Sequence, residues 1–238
     1  MKIKRILLKL SGEYLAGDKE SILDSNILAS LSQDIAKVVK MGVEVGIVVG
    51  GGNILRGKSL ADAGLGRVTG DHMGLLATVI NGLALNDALE KISVPVRVLS
   101  SVGMVGIVER FSRGEAIRSL SQKQVVIFTG GTGNPFFTTD TGACLRAIEI
   151  DADVVFKATK VDGVYSDDPV KNKDALHYDK ISYDEILAQN LGFMDLTAIC
   201  LCKDNSMPLR VFDIDKPNAL IDAASGKNIG TFVYDEGK

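Results

Sequence analysis

Four short apolar runs constrain this chain more than any other feature, because each closes in a turn of glycine, serine, threonine or lysine residues. They are RILLKL (5–10) before Ser11-Gly12, VEVGIVV (43–49) before Gly50-Gly51-Gly52-Asn53, VVIF (125–128) before Thr129-Gly130-Gly131, and ADVVF (152–156) before Lys157-Ala158-Thr159-Lys160. Segments with helical spacing lie between them, including 27–39 with Gly42 placed as a stop, 73–89, 114–120 and 143–148. Strands alternating with helices predict an α/β fold with a mostly parallel central sheet and helices on both faces. In such sheets the loops at the carboxyl ends of the strands bind ligands, since backbone amides and helix N-termini converge there.

Composition narrows the classes. A length of 238 residues suits one large α/β domain or two small lobes, and 46% hydrophobic residues predict a folded globule. A net charge of -3 argues against nucleic-acid binding through bulk positive charge. The longest apolar runs are strand-sized, well short of the ~20 residues of a membrane helix. Residues 1–10 alternate lysine with isoleucine and leucine and lack a signal-type apolar stretch, so a cytoplasmic protein with no membrane partner is expected. Cys144, Cys200 and Cys202 lack metal-type spacing and are read as free thiols packed as small hydrophobes. With only His72 and His177 present, a His-rich metal site is not expected. His72 is read as an orienting or packing residue rather than a base.

The loops carry the chemistry. Lys9 falls at the end of the first strand beside the Ser11-Gly12 turn, either as a solvated strand end or as a phosphate contact. Gly50, Gly51 and Gly52 allow close approach to the backbone, and with Arg56 nearby they favour an anion site over a simple tight turn. Neither a Walker A loop nor a dinucleotide fingerprint is present. Asp71 precedes the periodic stretch 73–89 as an N-cap or as a ligand-binding carboxylate. The loop TGNPFFTTD (132–140) places Phe136 and Phe137 in polar surroundings before Thr138, Thr139 and Asp140. Of these, Thr139 or Asp140 is read either as the cap of the following helix or as a ligand contact. The turn KVDGVYSDDP (160–169) brings Tyr165 and Asp168 near Lys157 and Thr159. Beyond residue 181 the pattern predicts a helix, a short helix over 195–205, a strand over 209–212, a helix from Pro217 and a strand over 231–234.

Cations, glycine amides and one aspartate at strand ends, without a serine or thiol triad, suit phosphoryl transfer. There the protein positions two anions and stabilises spread negative charge. KLSGE from Lys9, GGGNILRG from Gly50, GDHMG from Gly70, GTGNPFFTTD from Gly131 and KATKVDGVYSDDP from Lys157 resemble the uridylate kinase branch of the amino acid kinase family over nearly the whole chain.

The resemblance implies a three-layer amino acid kinase fold, a single domain over 1–238 with an acceptor part near 1–150 and an ATP part near 151–238. It implies transfer of the ATP γ-phosphoryl group to UMP with Mg²⁺. Lys9, Lys157, Asp140 and Arg56 would be the catalytic set, Asp140 orienting the lysines. UMP would be held by Gly51, Asp71 and the loop Thr132, Gly133, Asn134, Pro135, Phe136, Phe137, Thr138 and Thr139. ATP would meet Lys9, Leu10, Ser11, Gly12, Gly52 and Arg56 at its phosphates, and Thr159, Tyr165 and Asp168 around adenosine. The family is hexameric, activated by GTP and inhibited by UTP. Here the usual glycine-rich GFGID-like segment is replaced by DKESILD (18–24), so a weak or absent GTP response is expected, while UTP inhibition is less exposed to the change. A non-catalytic nucleotide sensor or oxyanion storage protein on the same fold is the alternative.

Overall fold

The computed structural model describes residues 3–17, 21–55 and 64–236. Nine strands form one sheet in the order β4-β3-β5-β2-β1-β6-β10-β11-β9. These are β1 (Arg5–Leu10), β2 (Glu44–Val49), β3 (Val96–Ser100), β4 (Glu109–Arg110), β5 (Val125–Thr129), β6 (Val154–Thr159), β9 (Lys180–Ser182), β10 (Leu209–Asp213) and β11 (Thr231–Tyr234). Neighbours pair in parallel except β10 with β11. A small separate pair joins β7 (Val164–Tyr165), within the stretch 160–169 read from sequence as a turn, to β8 (His177–Tyr178) beyond it.

Alternation along the strands builds two cores. In β1, Ile6, Leu8 and Leu10 enter one core with helices α1 (Gly12–Ala16), α2 (Ser25–Lys40), α3 (Arg67–Glu90) and α8 (Ala219–Ala224). Leu7 points to the other face, covered by α4 (Arg113–Ser121), α5 (Thr139–Glu149), α6 (Tyr183–Gln189) and α7 (Leu196–Asp204). Successive side chains alternate across a sheet, so Lys9 shares the face of Leu7, and Lys157 that of Val155. Both lysines therefore rise toward the α5 side. Helix α2 is amphipathic as its spacing predicts: it buries Leu31, Ile35 and Val38, and Asp24 caps it by accepting the Asn26 and Ile27 amides at 2.8 and 3.3 Å. Such a cap contributes about 1 kcal/mol.

Several sequence expectations are corrected. α3 begins at Arg67, so Asp71 lies inside it and is not its cap. Thr138, not Thr139 or Asp140, caps α5. α1, β4, β8 and β9 were too short to carry a periodic signal. Cys144 and Cys202 are buried free thiols as expected, whereas Cys200 is exposed, as is His72. Arg56, and residues 18–20 of the altered segment, lie outside the described residues.

Candidate active site

β1 sits where the sheet order reverses, with β2 on one side and β6 on the other. A crevice opens beyond the carboxyl ends of such strands. Lys9 and Lys157 are register partners across it. Asp140, in the first turn of α5, reaches between them: Lys157 Nζ donates to Oδ2 at 2.5 Å, and Lys9 Nζ lies 2.7 Å from Oδ1. All three side chains are only 10–13% exposed. Burial pushes the Asp140 carboxyl up, but the Lys9 and Lys157 ammonium groups outweigh it and hold the group below the usual carboxylate range. Burial also lowers Lys157 from the ordinary lysine value, with Asp140 opposing that shift and Lys9 adding to it. The result is a pair of cations fixed by one anion, with net positive charge facing the crevice.

On one side of this cluster lies a cavity of about 560 Å³ between the glycine turn after β2, α3 and the loop after β5. Gly51, Asp71, Asn134, Phe137, Thr138 and Thr139 line it as read from sequence, and Gly52, expected on the ATP phosphate side, lines it as well. Arg67, Gly70, Gly74, Leu75 and Thr78 join them. These last recur at three- and four-residue intervals, so one face of α3 forms the wall, a pattern legible once the helix start is known. Thr132, Gly133, Pro135 and Phe136 shape the loop without lining this space: the Thr132 hydroxyl accepts the Asn134 amide at 3.2 Å. Phe136 adopts φ +72°, a conformation that bulky side chains rarely take. Its amide donates to Asp71 Oδ2 at 2.7 Å, and Arg67, paired with Asp71 at 2.9 Å, lies 5.7 Å from the Phe136 ring centre. Partial burial raises the Asp71 carboxyl, but the Phe136 amide and Arg67 more than reverse this and leave it below the usual value. Asp71 thus fastens the aromatic loop to α3.

The glycine turn is held close by packing. A Cβ on Gly12 would come 2.8 Å from Gly52 N and 2.9 Å from Gly50 O, so the turns after β1 and β2 touch backbone to backbone. Ser11 caps α1 through the Tyr14 amide at 3.2 Å, and Leu10 is core. Gly51 approaches α3 as closely, a Cβ there meeting Gly74 O at 2.9 Å. Part of the glycine requirement read as anion binding is therefore steric.

A second cavity, about 660 Å³, opens on the other side of the cluster, lined by Lys157, Thr159, Tyr165 and Asp168. Sequence reasoning missed its opposite wall, Gln189 to Phe193 at the end of α6, because that stretch carries no motif. Thr159 donates to Val161 O at 2.7 Å, the Tyr165 hydroxyl donates to Asp162 at 2.7 Å, and Asp168 accepts the Val170 amide at 3.0 Å. Each expected nucleotide contact is thus also a turn-forming group.

Residues 4–213 match the model of the amino acid kinase family. The chain belongs to that family. Individual relatives are similar over almost their full length. A uridylate kinase from Legionella pneumophila (strain Paris) is 60% identical over 98% of this chain and 94% of its own. The UMP kinase from Bacillus anthracis has a TM-score of 0.96 at 38% identity, covering 99% of this chain and 98% of that one. The UMP kinase from Ureaplasma parvum has a TM-score of 0.93 at 40% identity, covering 99% and 100%.

Among the described residues no group of three or more His, Cys, Asp or Glu side chains could hold a metal ion, and Asp140 is engaged by two lysines. The donor set does not fit a resident metal site. No helix among the described residues is long and apolar enough to cross a membrane.

Proposed function

We propose that this protein is a nucleoside monophosphate kinase that transfers the ATP γ-phosphoryl group to UMP, giving UDP and ADP. The observation that carries this reading is the Lys9–Asp140–Lys157 cluster standing between two nucleotide-sized cavities. UMP occupies the cavity walled by α3 and the loop after β5, with Gly51, Asp71 and Thr138 around it. ATP occupies the one at Thr159, Tyr165 and Asp168, its phosphates reaching Lys9 and Lys157 past the glycine turns. This divides the single domain into an acceptor part near 1–150 and a donor part near 151–238. Arg56 completes the cationic set in this reading.

The chemistry asks little covalent work of the protein. A UMP phosphate oxygen is already an anionic nucleophile, so no general base is required. As the γ-phosphoryl group passes in line between two oxygens, charge spreads over its equatorial oxygens. Lys9 and Lys157 donate to that charge from fixed positions, and charge-assisted bonds of this kind contribute about 1.5–3 kcal/mol each. Asp140 stays ionised and keeps the ammonium groups from splaying apart. Mg²⁺ would come with the ATP substrate and would offset part of the phosphate charge there.

The same reading makes UTP a competitor at the UMP cavity and GTP a weak effector or none, given the charged segment 18–24. It also makes the protein a cytoplasmic homohexamer. Leu76, Ile80 and Leu83 support the assembly, forming an exposed apolar stripe at four- and three-residue spacing on α3. A sensor role is less favoured, because the cations that transfer requires are present and converge.

An ADP-release assay with MgATP, offering UMP, CMP, dCMP, AMP and acetylglutamate in parallel, tests the reaction. Turnover confined largely to UMP is expected; silence with every acceptor despite UMP binding would overturn it in favour of the sensor. A several-fold rate increase on adding GTP at subsaturating UMP would overturn the regulatory part.

A further inference from the structure

The segment 191–195 runs from the donor cavity to the head of α5. Leu191, Gly192 and Phe193 line the donor side, and the Phe193 ring centre lies 5.9 Å from Lys157 Nζ. Two residues on, Asp195 caps α7 by accepting the Ala198 amide at 3.0 Å. Its carboxylate also crosses to the head of α5: Oδ2 accepts the Thr138 hydroxyl, and Oδ1 accepts the Thr141 hydroxyl at 3.0 Å. Thr138 in turn accepts the amides of Asp140 and Thr141 at 3.1 and 3.2 Å.

A threonine hydroxyl has one proton and two lone pairs. Committing the Thr138 proton to Asp195 leaves its lone pairs for the helix amides, one of which belongs to Asp140. The backbone that carries Asp140 is thereby tied to a residue 55 positions later. The two ends of one short segment then bear on the two partners of the Lys157–Asp140 pair, Phe193 on the lysine and Asp195 on the aspartate.

We infer that Asp195 is a positioning residue for phosphoryl transfer, holding Thr138 and through it Asp140 in place between Lys9 and Lys157. The inference rests on the reading above, in which Asp140 organises the transferring lysines. Asp195 touches neither substrate; its effect falls on the chemical step more than on donor binding.

Three proteins test it: wild type, Asp195→Asn and Thr141→Val. Asparagine keeps the size and one acceptor but places an NH₂ where a hydroxyl must donate. Valine at 141 removes the other leg without touching Thr138. The expected result for Asp195→Asn is a fall in kcat of about 10–100-fold with KM for ATP within about twofold of wild type. Thr141→Val should lose a similar melting temperature while keeping kcat within about threefold. A crystal structure of Asp195→Asn should show Asp140 displaced from at least one lysine. Equal kcat in Asp195→Asn and Thr141→Val, or an undisplaced Asp140, would reduce Asp195 to a helix cap. Absence of UMP turnover in the wild type would instead overturn the kinase reading, and the crystal structure would still decide the positioning role.

Discussion

Lys9 on β1 and Lys157 on β6 are register partners on adjacent parallel strands, and both ammonium groups close on the single carboxylate of Asp140. Two like charges side by side at a sheet centre would repel. Asp140 offsets that repulsion and leaves one unit of positive charge directed at the crevice. The arrangement stores no substrate specificity; it supplies a preorganised field for a transferring phosphoryl group.

Lys157→Ala separates catalysis from packing. The side chain is buried, yet Asp140 retains Lys9 as a partner after truncation, so the carboxylate is not left unpaired. The expected outcome is a fall in kcat of about 100-fold or more, by analogy with removal of a charge-stabilising donor elsewhere. Melting temperature should drop by only a few degrees, roughly the effect of about 1 kcal/mol in a protein of this size. Parallel steady-state kinetics and calorimetry check the split; matched losses would return Lys157 to a structural role.

The cluster also fixes an acid dependence of stability. The Asp140 carboxyl lies below its ordinary value of 3.8 in the folded chain, so the unfolded chain binds that proton more tightly. Its stabilising contribution is present above 3.8 and is lost as pH falls through the lower, folded value. Asp140→Asn cannot titrate. The melting-temperature gap between wild type and this variant should therefore be widest near pH 6 and narrow toward about pH 3. Thermal melts across that range measure it, and a constant gap would show that the lysines do not perturb Asp140. The variant should still bind UMP with almost no turnover.

Asp71 offers a test confined to the acceptor side. Its carboxylate holds the Phe136 amide and Arg67 at the wall of the smaller cavity, remote from Thr159 and Tyr165. Asp71→Asn keeps an acceptor for the amide but loses the charge that faces Arg67. KM for UMP should rise by about tenfold while KM for ATP stays within about twofold. An equal rise in both would place Asp71 outside the acceptor site.

Much of this site was legible because its residues sit at strand ends, where an apolar run breaks into glycine, lysine or threonine. Lys9, Lys157 and Asp140 belong to three such breaks, and the order of strands and helices already implied that those ends share one edge. Residues that act through a helix face were harder to see. Thr78 and Gly74 become wall residues only once α3 is known to begin at Arg67, and neither Gly66 nor Arg67 carries a capping side chain to announce that start. Asp195 was hidden for another reason: its partners Thr138 and Thr141 lie more than fifty residues away, and no local pattern encodes a contact made by tertiary packing. The cap of α5 was misplaced by one or two residues because three consecutive candidates, Thr138, Thr139 and Asp140, all have the chemistry of an N-cap.

Gly12 marks the point where steric and functional demands on the glycine turns can be told apart. A methyl group there would stand 2.4 Å from Asn53 Oδ1, which is held by the Asn81 amide at 2.7 Å, and also 2.8 Å from Gly52 N and 2.9 Å from Gly50 O, which cannot move without shifting the turn after β2. That turn borders the acceptor cavity through Gly51 and Gly52. Gly12→Ala should therefore displace the β2 turn, costing about 1–3 kcal/mol of stability as overpacking does elsewhere. It should also raise KM for UMP as well as for ATP, although residue 12 itself belongs to the donor side of the proposed site. Melting temperature and both Michaelis constants measured on one preparation check this. A rise in KM for ATP alone, at unchanged stability, would show that the turns after β1 and β2 move independently and that Gly12 serves only the donor phosphates.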